Sequence, residues 1–84
     1  MNKAEISKEQ IFEIMKDKML DILPDLDAQR ISREVSMKDL GANSIDRFDI
    51  ISDTMDELQL KIPLVQFGNL KNIGEVVDYL HENL

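Results

Sequence analysis

The chain has no cysteine and no tryptophan, one histidine, two prolines and three glycines in 84 residues. Without cysteine there is neither a disulfide nor a thiolate metal centre to hold so short a chain together, so a core of Ile, Leu, Val and Met must suffice. The scarcity of proline and glycine, with no sustained alternation of β-branched residues, excludes a strand-and-turn architecture and points to an all-α class. Long apolar runs are also missing; none approaches the roughly 18 residues of a spanning helix. The first residues, Met1-Asn2-Lys3-Ala4-Glu5, lack the apolar stretch of a secretion signal. Positive charge is scarce, 10 Lys plus Arg against 17 Asp plus Glu, for a net charge of −7. That balance repels phosphate backbones and anionic lipid surfaces, disfavouring nucleic-acid and membrane binding, and favours partners with basic surfaces. The expectation is a single cytoplasmic domain spanning residues 1–84.

What is present is helical periodicity. Ser7 and Gln10 have the spacing of a capping box, with Ile6 and Ile11 placed as a hydrophobic staple. The first helix then runs to about Leu23, where Pro24 disfavours helical geometry in the residue before it. Its stripe is Ile11, Phe12, Met15, Met19, Ile22 and Leu23. From Pro24 to Asn43 the pattern loosens into a long ordered loop, pinned by Ile31, Val35, Met37 and Leu40 and turned at Gly41. A second helix starts at Asn43-Ser44, where either side chain can cap, and ends near Leu58 or Gln59. At about 100° per residue, Ile45, Phe48, Ile51, Met55 and Leu58 share one arc, and Asp46, Asp49, Asp53, Asp56 and Glu57 another. Ile50 falls beside the acidic arc and is expected to be exposed. After Ile62-Pro63, residues Leu64 to Leu70 are expected to form a short turn or helix weakened by Gly68, counted as the third helix of the bundle. Asn72 and Glu75 open a last helix through Ile73, Val76, Val77, Leu80 and Leu84. The architecture expected is a four-helix bundle with a long loop between helices 1 and 2.

Few residues offer independent chemistry. His81 sits near the end of an amphipathic helix and reads as a surface residue. The carboxylates from Asp46 to Asp56 lack the ligand loop and glycine of a calcium-binding hand, so no metal site is expected. A triad of Ser44, His81 and an acid would leave no room for a substrate pocket in so small a bundle, and no catalytic residue is assigned. An acidic helix face is most often merely solvated, and Ser44 by itself reads as a helix cap. Together, however, they put a hydroxyl and a charged stripe side by side.

The segment Asp39-Leu40-Gly41-Ala42-Asn43-Ser44-Ile45, the acidic helix after it, Lys61-Ile62-Pro63 at its far end, and a closing helix with Asp78-Tyr79-Leu80 resemble an acyl carrier protein along nearly the whole chain. The resemblance implies a non-catalytic carrier. Ser44 would take 4′-phosphopantetheine from coenzyme A through a phosphopantetheinyl transferase, and the thiol of that arm would hold an acyl group as a thioester. A phosphate there would lie at a helix N-terminus, which favours negative charge. Asp46, Asp49, Ile50, Asp53 and Asp56 are the expected docking surface for basic partner enzymes, steering more than binding tightly.

Two positions depart from the family pattern: Asn43 stands where Asp is usual, and the third element, commonly acidic, contains no acid. Leu64 and Val65 there are candidates for a partner-specific apolar patch. The run Gly41 to Arg47 is similar to that of discrete polyketide carriers acting in trans, particularly those of β-branching cassettes. The implied partners are acyltransferase, ketosynthase or hydroxymethylglutaryl-synthase-like enzymes, with the carrier a monomer. A fatty-acid carrier is the nearest alternative. An unmodified acidic interaction domain is the alternative from another class.

Overall fold

The computed structural model describes residues 5–84; the opening residues Met1 to Ala4, on which most of the secretion-signal reading rests, lie outside the described residues. Three α-helices form: α1, Lys8–Ile22; α2, Ser44–Leu58; and α3, Ile73–Glu82. Two 3-10 turns, Ala28–Arg30 and Leu64–Phe67, lie in the connections, and no strand occurs among the described residues. The class is all-helical as expected; of the two forms expected for the short third element, the structure has the turn, a 3-10 one, so three α-helices stand where a four-helix bundle was expected. Bonds of the i→i+3 type run from Gln66 to Pro63, Gly68 to Val65 and Leu70 to Phe67. A four-residue segment closed by such bonds never builds the longer ladder of an α-helix. No helix among the described residues is long and apolar enough to cross a membrane.

The helix ends follow local chemistry. Ser7 Oγ accepts from the Gln10 amide and Gln10 Oε1 from the Ser7 amide, completing the capping box of α1. At α2 the cap is Asn43, whose Oδ1 accepts from the Asp46 amide at 2.8 Å while Asp46 Oδ2 accepts from the Asn43 amide. Asn72 caps α3 through the Glu75 amide, but Glu75 accepts from Lys71 instead of Asn72, so that capping box is incomplete. The Leu23 C-cap ends α1 just before Pro24.

The core gathers Ile11, Met15 and Met19 of α1, five residues of α2, and Ile73, Val76, Val77 and Leu80 of α3. The long connection adds Ile31, Met37, Leu40 and Ala42, with Val35 half-buried. Its order has a second source. The Ile73 and Gly74 amides, at the start of α3, donate to the carbonyls of Val35 and Arg33 at 2.9 and 2.8 Å. The connection thus satisfies helix donors that would otherwise lack partners. Gly74 permits this approach, because a Cβ there would lie 3.0 Å from the Arg33 carbonyl oxygen. Gly41, at φ +98°, makes the turn into α2 in a conformation that glycine adopts without strain.

On α2 the expected apolar arc is rotated. The buried set is Ile50, Ile51, Thr54, Met55 and Leu58, while Ile45 is 70% exposed and Phe48 46% exposed. Ile50, expected at the surface, is completely buried. The inward face is marked by Thr54, whose hydroxyl donates to the Ile50 carbonyl at 2.7 Å and so enters the core with its polar group satisfied. Counting Thr54 as polar and Ile45 and Phe48 as core shifts the apparent face by about a quarter turn.

Candidate functional site

The capping role of Asn43 decides the state of Ser44. Ser44 is the first residue of α2, exposed, with its hydroxyl not engaged as the cap. Its Oγ accepts from an Arg47 guanidinium nitrogen at 3.2 Å, and the other terminal nitrogen of Arg47 donates to the Ala42 carbonyl at 2.9 Å. Residues three apart on a helix are neighbours, and this spacing is the sequence signal that could have singled out Arg47. The Ser44 and Ile45 amides have no acceptor among the described residues. A cation, open N–H groups and the helix dipole therefore converge on one exposed hydroxyl, a setting that fits an anionic ester at Ser44.

The acidic residues divide. Asp49, Asp53 and Asp56 are exposed, whereas Asp46 is half-buried with a carboxylate oxygen committed to the Asn43 amide. Glu57 pairs with Lys18 of α1 at 3.0 Å, and this hydrogen bond and charge raise the Lys18 pKa despite an opposing effect of burial. The apolar residue exposed beside the acids is Ile45, one turn before Asp49, and not Ile50. Its place in the first turn, at i and i+4 from an exposed acid, was the available signal. In the following connection Val65 is 83% exposed, while Leu64 is half-buried and packs on the core.

A cleft of about 330 Å³, lined in part by Arg47, the residue bonded to Ser44, opens between α2, the Leu64–Phe67 turn and the connection ahead of α2. Its apolar lining includes Met37, Phe48, Ile51, Phe67, Leu70 and Val76. Phe67 is held there by Tyr79, edge to face at 5.4 Å, and the Tyr79 hydroxyl donates to Gln66. His81 lies half-exposed in the last turn of α3, away from the residues lining the cleft. No cluster of metal-ligating side chains occurs among the described residues.

Comparison with known proteins adds a family and a fold. The phosphopantetheine attachment site family matches residues 13–80. The polyketide biosynthesis acyl-carrier-protein AcpK of Bacillus subtilis is 37% identical over 79 residues, 94% of this chain and 96% of its own length. An acyl carrier protein of Porphyromonas gingivalis is 31% identical over 74 residues, 83% of this chain and 95% of its own. Among solved structures, a chain from the crystal structure of the curacin biosynthetic pathway HMG synthase in complex with acetyl donor-ACP superposes with a TM-score of 0.84. It is 36% identical, and the match covers 92% of this chain and 99% of that one.

Proposed function

Because this chain belongs to the phosphopantetheine-attachment family and is an acyl carrier protein, not an enzyme, we propose that Ser44 is its attachment residue and that it serves a polyketide pathway. The observation that carries the assignment is the division of labour at the start of α2: Asn43 caps the helix, leaving the Ser44 hydroxyl exposed beside Arg47. In the attachment reaction the Ser44 oxygen loses its proton and bonds to the pantetheine-bearing phosphorus of coenzyme A. The bond to the neighbouring phosphate breaks, and adenosine 3′,5′-bisphosphate leaves. When bound, 4′-phosphopantetheine supplies the thiol that this cysteine-free chain lacks and holds the acyl group as a thioester. Arg47 and the open Ser44 and Ile45 amides then neutralise and orient the phosphodiester at its root.

Docking in this reading is by charge and one apolar point. Asp49, Asp53 and Asp56 steer a basic partner, and Ile45 supplies contact area that charge alone does not. Asp46 contributes chiefly through the cap, and exposed Val65 offers a second apolar contact, with Leu64 anchoring its turn to the core. The partner favoured is an enzyme like hydroxymethylglutaryl synthase, by analogy with the similar donor carrier crystallised with such an enzyme. Acyltransferase and ketosynthase partners follow from the same pathway reading, with the carrier acting as a cytoplasmic monomer.

Incubation with a phosphopantetheinyl transferase, coenzyme A and magnesium tests the assignment by intact mass. One phosphopantetheine is expected on the wild-type chain and none on Ser44→Ala. Modification at Ser7, Ser32, Ser36 or Ser52 instead would refute it.

A further inference from the structure

The Arg47 guanidinium is held at both ends. One terminal nitrogen donates at 2.9 Å to the carbonyl of Ala42, a buried residue, and the other donates to Ser44 Oγ at 3.2 Å. Because a guanidinium is a rigid planar fork, anchoring the first nitrogen also directs the second, which an ammonium group on a flexible stem does not achieve. The anchor is itself fixed, since the Ala42 amide donates to the Met37 carbonyl at 3.1 Å. Arg47 is half-buried and, among the described residues, forms no ion pair, in a chain with 17 Asp and Glu. The acid next to it in sequence, Asp46, has a carboxylate oxygen committed to the Asn43 amide. Asn43 caps α2 with a neutral side chain, so no carboxylate stands immediately before the serine. The charge of Arg47 is thus left for Ser44.

We propose that Arg47 is a catalytic residue of the attachment reaction, supplied by the carrier and not by the transferase. This rests on Ser44 as the attachment residue. Ser44 Oγ forms a bond to the pantetheine-bearing phosphorus of coenzyme A, and its proton passes to a base of the transferase. The phosphoanhydride bond breaks, and its electron pair leaves with adenosine 3′,5′-bisphosphate. Phosphoryl transfer asks little covalent chemistry of a protein, so positioning and neutralisation of the charge on the phosphoryl oxygens dominate its rate. A donor that already reaches the attacking oxygen is placed to reach the oxygens of the phosphorus being attacked, through a charge-assisted bond. Docking of the transferase removes water from this contact and strengthens it. Holding only the finished phosphodiester would not raise the rate; contact during the transfer does. The carrier thereby takes part in its own modification.

The test follows single-turnover attachment by intact mass on the full unmodified chain, with coenzyme A, magnesium and a range of transferase concentrations in excess. Arg47→Gln is expected to lower the limiting rate about 10²-fold and to change the half-saturating transferase concentration by less than about threefold. Arg47→Lys keeps the charge without the fork and should fall between. In Arg47→Ala, guanidinium chloride at a non-denaturing concentration should restore part of the limiting rate, whereas sodium chloride at equal ionic strength should not. Lys38 and Lys71 line the same cleft as Arg47 but make no hydrogen bond to Ser44. Lys38→Gln and Lys71→Gln should therefore leave the limiting rate within about twofold of wild type. Melting curves establish that each variant is folded; should Arg47→Gln melt below the assay temperature, Arg47→Lys decides by the same criteria. An unchanged limiting rate, a loss confined to the half-saturating concentration, no rescue by guanidinium, or an equal loss in the lysine variants would overturn the proposal. If the wild-type chain gains no mass, or Ser44→Ala still gains it, the Ser44 assignment falls and the proposal with it. Arg47→Gln modified at Ser44 as fast as wild type removes the proposal alone.

Discussion

Asp78 of α3 accepts a hydrogen bond from the Arg33 guanidinium at 2.8 Å and lies 3.2 Å from the Lys8 ammonium. One carboxylate thus joins the connection, the start of α1 and the middle of α3. The Arg33 hydrogen bond, then that of Lys8, hold its pKa below the usual aspartate range, against a smaller opposing effect of burial. All three side chains are substantially exposed, so solvent screens the interaction. A depressed folded pKa means stability that is present above the unfolded value of about 3.9 and lost as pH falls through the lower folded value. Asp78→Asn should therefore lower the melting temperature at pH 7, with the difference from wild type closing as pH drops below about 4. A constant difference across that range would separate Asp78 from the acid response.

Asn43 and Ser44 should give opposite phenotypes. Asn43→Ala removes the cap of α2 and should cost about 1 kcal/mol in denaturant unfolding while leaving a modifiable serine. Ser44→Ala should change stability by no more than about 0.5 kcal/mol and abolish modification.

The two faces of α2 are separable in the same way. Ile50→Ala empties a fully buried site and should destabilise by roughly 2–5 kcal/mol. Ile45→Ala should leave the melt nearly unchanged and slow acyl transfer to a partner. Asp49→Lys and Asp53→Lys should also slow transfer without unfolding, most strongly at low salt, where screening is weakest.

Gly74→Ala should destabilise by about 1–3 kcal/mol, since the new methyl group meets the Arg33 carbonyl oxygen at 3.0 Å and its Cβ at 3.2 Å. Calorimetry checks this directly. Gly68→Ala is the milder comparison, with only the Val65 carbonyl oxygen at 3.3 Å.

Features governed by neighbouring residues were legible in the sequence. The Ser7–Gln10 box, the Pro24 stop, the start of α2 and the apolar anchors of the long connection all follow from short-range chemistry, and each stands where expected. The rotation of α2 was not legible, because it depends on which side of the helix the rest of the chain covers. Ile45 and Phe48 are as apolar as Ile50, and the first turn of α2 is exposed where Ile45 projects. Between turn and helix the short third element was undecided in the sequence; Leu64 to Leu70 has apolar residues but too few positions between Pro63 and Gly68 to propagate an α-helix. At the site, Ser44 was visible by its motif. Arg47, Lys38 and Lys71 come together only through tertiary structure.

Phe67 is the one buried side chain of the Leu64–Phe67 turn, and its ring rests edge to face on Tyr79. The turn is therefore tied to the bundle by this ring, by half-buried Leu64 on the core and by the Tyr79–Gln66 hydrogen bond. Releasing these few ties leaves the packed faces of α1, α2 and α3 in contact, so local opening of the turn requires less free energy than global unfolding. The amides of Gln66, Gly68 and Leu70 should accordingly exchange with deuterium earlier than those of the helices they bridge. The wall of the cleft is then its least anchored part, a short turn held by a handful of contacts beside three helices held by many.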